Sequence, residues 1–139
     1  MTIYVNAQID LGWDYFDTPT DENELLENKS VMDMVQDFAK ITQQEPKPWL
    51  YDRLIKEESE EFFWAYGGTS RLKELADLVY VCYGYANACG YDLDEAIRRV
   101  HENNVGRCIQ PDGSIKRRKD GKILKNEDYP KVDLGDLVE

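Results

Sequence analysis

Apolar residues recur at helical spacing from Val31 to about Asn104, and the pattern changes at Val105. Val31, Met34, Val35, Phe38 and Ile41 mark an amphipathic helix that runs from a Ser30 cap to about Thr42. Pro46 and Pro48 make the following stretch, Gln43 to Trp49, an extended turn. A second helix is expected from about Leu50 to Tyr66, ended by Gly67-Gly68, with Thr69 or Ser70 capping a third. From Leu72 to about Ala88 that third helix is nearly continuous in Leu, Ala, Val, Tyr and Cys, which predicts burial on most sides. Gly90 stops it. Asp92 to Glu95 has capping-box spacing and opens a fourth helix to about Asn104, with Leu93, Ala96, Ile97 and Val100 facing inward.

Beyond Val105 the turn signals Asp112-Gly113 and Asp120-Gly121 take over. Residues 115–118 and 122–125 can pair as a small hairpin, and Tyr129-Pro130 leads into an extended tail. At the other end, Ile3 to Ile9 alternates weakly, and Asp10 to Asn28 is acidic with Trp13, Tyr15 and Phe16 interleaved. The chain is therefore expected to be all-α, with an arm over residues 1–27, a helical core over 28–105, and a basic hairpin and tail over 106–139.

Against this pattern some carboxylates stand out of place. At about 100° per residue, Leu50, Tyr51, Leu54, Ile55, Phe62, Trp64, Ala65 and Tyr66 share one side of the second helix. Glu57, Glu58 and Glu61 project from that apolar side, whereas Glu60 joins the polar one. On the third helix Glu74 and Asp77 lie one turn apart beside Leu78, Val81 and Tyr85. Anions in such places need compensation. Arg71 and Lys73 are the only basic residues in the third helix, so a hard divalent cation with oxygen ligands is the more economical answer.

Charge sharpens the picture. A formal net charge of −11 argues against a nucleic-acid polymer or an anionic membrane surface as partner. Residues 105–126 depart from this, with 2 acidic and 7 basic side chains, and a compact basic segment suits a small anionic ligand. Three cysteines do not suggest a disulfide framework: Cys82 and Cys89 read as reduced core residues, and Cys108 stands alone. No run has transmembrane length and the start lacks the look of a signal peptide, so a cytoplasmic setting is expected. At 139 residues the chain is expected to bury a sizeable core.

Glu57-Glu58-x-x-Glu61, a short glycine turn and Glu74-x-x-Asp77 together resemble the MazG-type all-α nucleoside triphosphate pyrophosphohydrolases. VHENNVGR, residues 100–107, is similar to that family's post-helix segment, in which an Asn precedes a basic residue. DGSIKRRKDGKILKNEDYPKVDL, residues 112–134, looks like the C-terminal hairpin of the phosphoribosyl-ATP pyrophosphohydrolase-like branch. The resemblance covers about residues 30–134 and leaves residues 1–27 unplaced. It implies a four-helix bundle that assembles as a homodimer or homotetramer. The implied reaction is hydrolysis of the α–β phosphoanhydride of a (d)NTP to the monophosphate and pyrophosphate, with Mg²⁺ or Mn²⁺.

In that frame Glu58, Glu61, Glu74 and Asp77 are the candidate metal ligands, set on two antiparallel helices. Glu57 either activates the attacking water or serves as a fifth ligand. Asn104 either bonds the nucleotide or caps its helix. Arg107, Arg118, Lys122 and Lys125 are the candidates for phosphate oxygens, with Lys125 favoured by its match to the family's tail. Trp49, Tyr80 and Tyr83 either stack on a base or belong to the core. His101 is the only histidine, which disfavours a zinc cluster, a Ser-His-Asp triad or a di-iron bundle with its Glu-x-x-His pairs. Two rivals stand beside the nucleotide hydrolase: a non-catalytic helical interaction protein, and a pyrophosphohydrolase of phosphoribosyl-ATP or an alarmone.

Overall fold

The structure, a computed structural model, describes residues 28–138, so the arm expected over residues 1–27 lies outside the described residues. The helices are α1 (Val31–Ile41), α2 (Pro48–Trp64), α3 (Gly68–Cys89) and α4 (Leu93–Arg107). Strands β1 (Lys116–Arg117) and β2 (Ile123–Leu124) pair antiparallel, with Lys116 opposite Leu124 and Arg117 opposite Ile123. A 3-10 turn follows at Gly135–Leu137. Among the described residues the fold is all-α with a short hairpin near its C-terminal end. None of these helices is long and apolar enough to cross a membrane.

Local chemistry explains the boundaries. At the start of α1 the Ser30 hydroxyl accepts from the Asp33 amide and the Asp33 carboxylate accepts from the Ser30 amide, each at 3.1 Å. Helix α2 begins at Pro48, two residues before the expected start, because proline is well suited to the first helical turn, where its missing N–H removes no bond. Between α2 and α3, Gly67 adopts a left-handed φ of 89°, which glycine tolerates without strain. Helix α3 starts at once on Gly68, so Thr69 and Ser70 lie in its first turn and do not cap it.

The chain divides after Cys89 into two compact units. In the first, α2 and α3 form an antiparallel pair, with the Arg71 guanidinium 4.4 Å from the Phe62 ring centre near the turn and Tyr51 against Gly84 at the far end. Helix α1 packs on α3, where the Phe38 and Tyr80 rings meet edge to face at 5.8 Å. Met32, Val35, Tyr83 and Ala86 are the buried hydrophobics among the described residues, so the core sits between α1 and the C-terminal half of α3. Asp37 is buried there too, ion-paired with Lys29.

That core is smaller than the hydrophobic pattern predicts. Leu72, Leu75 and Val79 on α3 are exposed, as are Trp49, Phe63 and Trp64 on α2. The N-terminal half of α3 is thus apolar without being buried, because within one chain α1 packs over its other end.

In the second unit α4 opens on Asp92, whose carboxylate accepts from the Glu95 amide at 3.0 Å. The tail packs back on this helix. The Asn103 amide donates to the Pro130 carbonyl at 2.8 Å, and the Tyr129 ring lies against Gly106, where a Cβ would stand 2.4 Å from the phenol oxygen. Arg99 grips Asp136 with two bonds of 2.6 and 2.9 Å.

Candidate functional site

The carboxylates singled out by their phase sit on the antiparallel α2–α3 pair. Counting from the contact of Tyr51 with Gly84, seven residues along each helix bring Glu58 and Asp77 to one level, and ten bring Glu61 and Glu74 to the next. Carboxylate oxygens of Glu58, Glu61 and Glu74, one from each residue, lie within 4.8 Å of one another. Glu58 and Glu74 are half-buried and Glu61 is exposed at the rim. Oε2 of Glu58 and Oε2 of Glu74 are both shut off from solvent, and neither receives a hydrogen bond.

Three carboxylates in this space repel one another, and two of their oxygens have lost water without gaining a donor. Burial pushes the Glu58 carboxyl above its ordinary value, and the charges of Glu61, Asp77 and Glu74 push it the same way. An all-oxygen, all-anionic donor set with buried oxygens in want of a partner fits a hard divalent cation.

Asp77 stands apart from the converging three. Its Oδ2 lies 2.6 Å from Nζ of Lys73, which also reaches Oε1 of Glu74 at 3.5 Å. Beside the Lys73 ammonium these carboxylates raise its pKa, Asp77 most of all. Sequence reasoning noted Lys73 but gave it no place in the site. The signal was available, since Lys73 and Asp77 are four residues apart on one helix face.

Glu57 falls elsewhere than expected. It is exposed, like Glu60, and is not among the converging oxygens. The less exposed stripe of α2 runs through Tyr51, Ile55, Glu58, Phe62 and Ala65, a 4-3-4-3 spacing that centres near Glu58, with Leu54 beside it. Glu57 is about 100° away from Glu58.

The candidates for the nucleotide and its phosphates, Asn104, Arg107, Arg118, Lys122 and Lys125, belong to the second unit. Asn104 is an exposed residue inside α4, which runs on to Arg107, so Asn104 is not a helix cap. Arg107 is half-buried, with a shielded Nε that meets no acceptor and an Nη2 3.5 Å from Glu127. Arg118 is engaged by Asp120, its Nε donating to Oδ1 at 3.0 Å. Lys122 and Lys125 are exposed beside β2. Of the aromatic candidates, Tyr83 is core and Tyr80 packs on Phe38, while Trp49 is exposed.

Comparison with known proteins adds a family. Residues 29–104 match the family model described as phosphoribosyl-ATP pyrophosphohydrolase, a span that takes in α1 to α3 and most of α4. The search of curated proteins returned no match.

Proposed function

We propose, for a chain that belongs to the phosphoribosyl-ATP pyrophosphohydrolase family within the MazG-like all-α superfamily, the metal-dependent cleavage of a (d)NTP between its α and β phosphates. The observation that carries the proposal is the meeting of Glu58, Glu61 and Glu74 with two buried, unpartnered carboxylate oxygens among them. The family's activity is pyrophosphohydrolysis of a nucleotide-like substrate with a divalent metal.

Glu58, Glu61, Glu74 and Asp77 are the residues proposed to hold Mg²⁺ or Mn²⁺. When bound, the ion neutralises the polyphosphate and makes its α-phosphorus more electrophilic. In the reaction a water oxygen bonds to the α-phosphorus, the bond to the bridging oxygen breaks, and pyrophosphate leaves. Glu57 stands next to the ligand set without belonging to the converging group, so its carboxylate is free to take the proton that the water gives up. From the second unit, Arg107, Lys122 and Lys125 are proposed for phosphate oxygens and Asn104 for the nucleotide. Arg118 is the weaker member of that set, because Asp120 already occupies its guanidinium.

Self-association is part of the same proposal. It is supported by Trp64 and Tyr66, 87% and 96% exposed at the tip of the α2–α3 pair, together with Phe63, Leu72, Leu75 and Val79. Clusters of exposed large apolar side chains commonly mark surfaces that are covered by another molecule.

A second reading follows from the family description itself: the triphosphate is carried by phosphoribosyl-ATP. One assay separates the two. dNTPs, NTPs and phosphoribosyl-ATP are incubated with the protein and Mg²⁺, and pyrophosphate and orthophosphate are measured separately. Pyrophosphate from the simple nucleotides supports the first reading, and pyrophosphate from phosphoribosyl-ATP alone supports the second. Folded protein that yields neither product overturns both in favour of a non-catalytic interaction protein.

A further inference from the structure

We infer, on the basis of the cage proposed above, that Lys73 is an internal counter-ion that competes with the divalent metal and sets the metal concentration at which the cage fills. Asp77 is at the level of Glu58 in the antiparallel pair, yet the three oxygens that converge are those of Glu58, Glu61 and Glu74. What turns the fourth carboxylate aside is visible: Oδ2 of Asp77 is 2.6 Å from Nζ of Lys73. The same ammonium lies 3.5 Å from Oε1 of Glu74, so one cation touches two of the proposed ligands.

The pair is built to be released. Lys73 is 65% exposed, and it precedes Asp77 by four residues, the less favourable order for a helical ion pair because the cation lies toward the positive end of the helix dipole. A long, flexible lysine held by solvent-exposed contacts gives way readily to a doubly charged ion that several carboxylates bind together. For the metal, however, the ammonium is both an occupant of Asp77 and a like charge a few ångströms away. Removing that charge therefore strengthens metal binding, although Lys73 is no ligand and stands outside the chemistry.

The test uses the full chain without substrate, with Mn²⁺ as probe and free ion counted by its EPR signal. Lys73→Met is expected to bind Mn²⁺ about tenfold more tightly than the unaltered protein at low salt, with the gain shrinking as salt screens the charge. Lys73→Arg should bind like the unaltered protein. So should Lys56→Met, which removes an exposed lysine about 160° around α2 from Glu58. Circular dichroism checks that each variant is folded, and Lys73→Gln replaces the methionine variant if that one is not. A Lys73→Met variant that binds only as tightly as the unaltered protein overturns the inference and leaves the cage standing, as does an equal gain in Lys56→Met. Binding seen only once Lys73 is removed supports it in its strongest form. No Mn²⁺ binding by any variant overturns the cage, and the inference with it.

Discussion

The ring of Tyr51 lies so close on Gly84 that a Cβ at residue 84 would stand 2.2 Å from its Cε1. Glycine here lets α2 and α3 approach, and burial of the ring in the contact raises the pKa of the Tyr51 hydroxyl. Glu58 and Asp77 are seven residues further along the same two helices, so this approach helps set the spacing of the carboxylates. Gly84→Ala should destabilise the protein by about 1–3 kcal/mol, the usual range for overpacking. It should also weaken Mn²⁺ binding. Thermal melts and an Mn²⁺ titration on one preparation check both, and a destabilised variant with unaltered binding would uncouple the contact from the cage.

Trp64 is exposed at the end of α2 and Leu72 near the start of α3, on either side of the Gly67 turn. If this tip is buried between copies of the chain, a charge there should separate them at little cost to the folded subunit. Trp64→Glu is expected to turn a dimer or tetramer into a monomer at micromolar concentration, as measured by light scattering during size-exclusion chromatography. Far-UV circular dichroism should be unchanged. An unaltered mass would move the interface away from the tip.

The tail should report on its own clamp. Arg99 holds Asp136 through two bonds and also donates to Glu95 at 2.9 Å. Hydrogen bonds from Arg98 and Arg99 depress the Glu95 carboxyl to about 2, and the Arg99 guanidinium lowers that of Asp136. Carboxyls depressed in the folded state contribute stability above their unfolded values and lose it as pH falls toward the folded ones. Asp136→Asn should therefore raise hydrogen exchange at Leu137 and Val138 by about tenfold at pH 7. In the unaltered protein the same loosening should develop as pH falls below 3.8, the ordinary value of the Asp136 carboxyl, toward its depressed one.

Much of this molecule was legible in the order of its residues. Ser30, Asp92, Gly67 and Gly90 marked helix ends through capping and left-handed backbone, which are local effects. Helix phase put Glu58 and Glu61 on the inward face of α2 and Glu74 with Asp77 on one side of α3, and the family resemblance joined the two pairs. The same phase puts Glu57 inward, because Trp64, seven residues on, shares its face and reads as an apolar residue to be buried. In the single chain Trp64 is exposed, so the inward face of α2 is narrower than that pattern and leaves Glu57 out. Periodicity reports that a face is apolar and is silent on whether the covering surface belongs to the same chain. The clamp of Arg99 on Asp136 left no trace of that kind, because it joins residues 37 positions apart.

Catalysis should divide the two neighbouring glutamates. Glu61→Gln removes a proposed ligand and should lower turnover by about a hundredfold or more while weakening Mn²⁺ binding in parallel. Glu57→Gln should lower kcat by about a hundredfold, the lower end for loss of a general base, with Mn²⁺ affinity nearly unchanged. Equal losses of turnover and binding in Glu57→Gln would return Glu57 to the ligand set. Full activity in Glu61→Gln would remove Glu61 from it.

The pH dependence of the metal-free protein tests the strain at Glu58 directly. Burial first, and then the neighbouring Glu61, Asp77 and Glu74, hold this carboxyl above the ordinary glutamate value of 4.5. Between that value and the raised one the folded chain binds more protons than the unfolded chain. Stability should consequently fall as pH rises through this window, opposite in sign to the contribution of a salt-bridged carboxylate. Glu58→Gln removes the slope. At pH 7 in EDTA it should stabilise the protein by on the order of 1 kcal/mol, comparable to the loss of three like-charge neighbours at about 0.2–0.5 kcal/mol each. Saturating Mn²⁺ should reverse the order of the two proteins, since the unaltered chain gains the linkage stabilisation of a ligand that the glutamine variant binds poorly. Melting temperatures measured across pH 4.5 to 8, with EDTA and with Mn²⁺, give both comparisons. A glutamine variant less stable than the unaltered protein in both media would mean that Glu58 is a stabilising residue even without metal, and the unpartnered oxygen would lose its significance as a mark of the cation site.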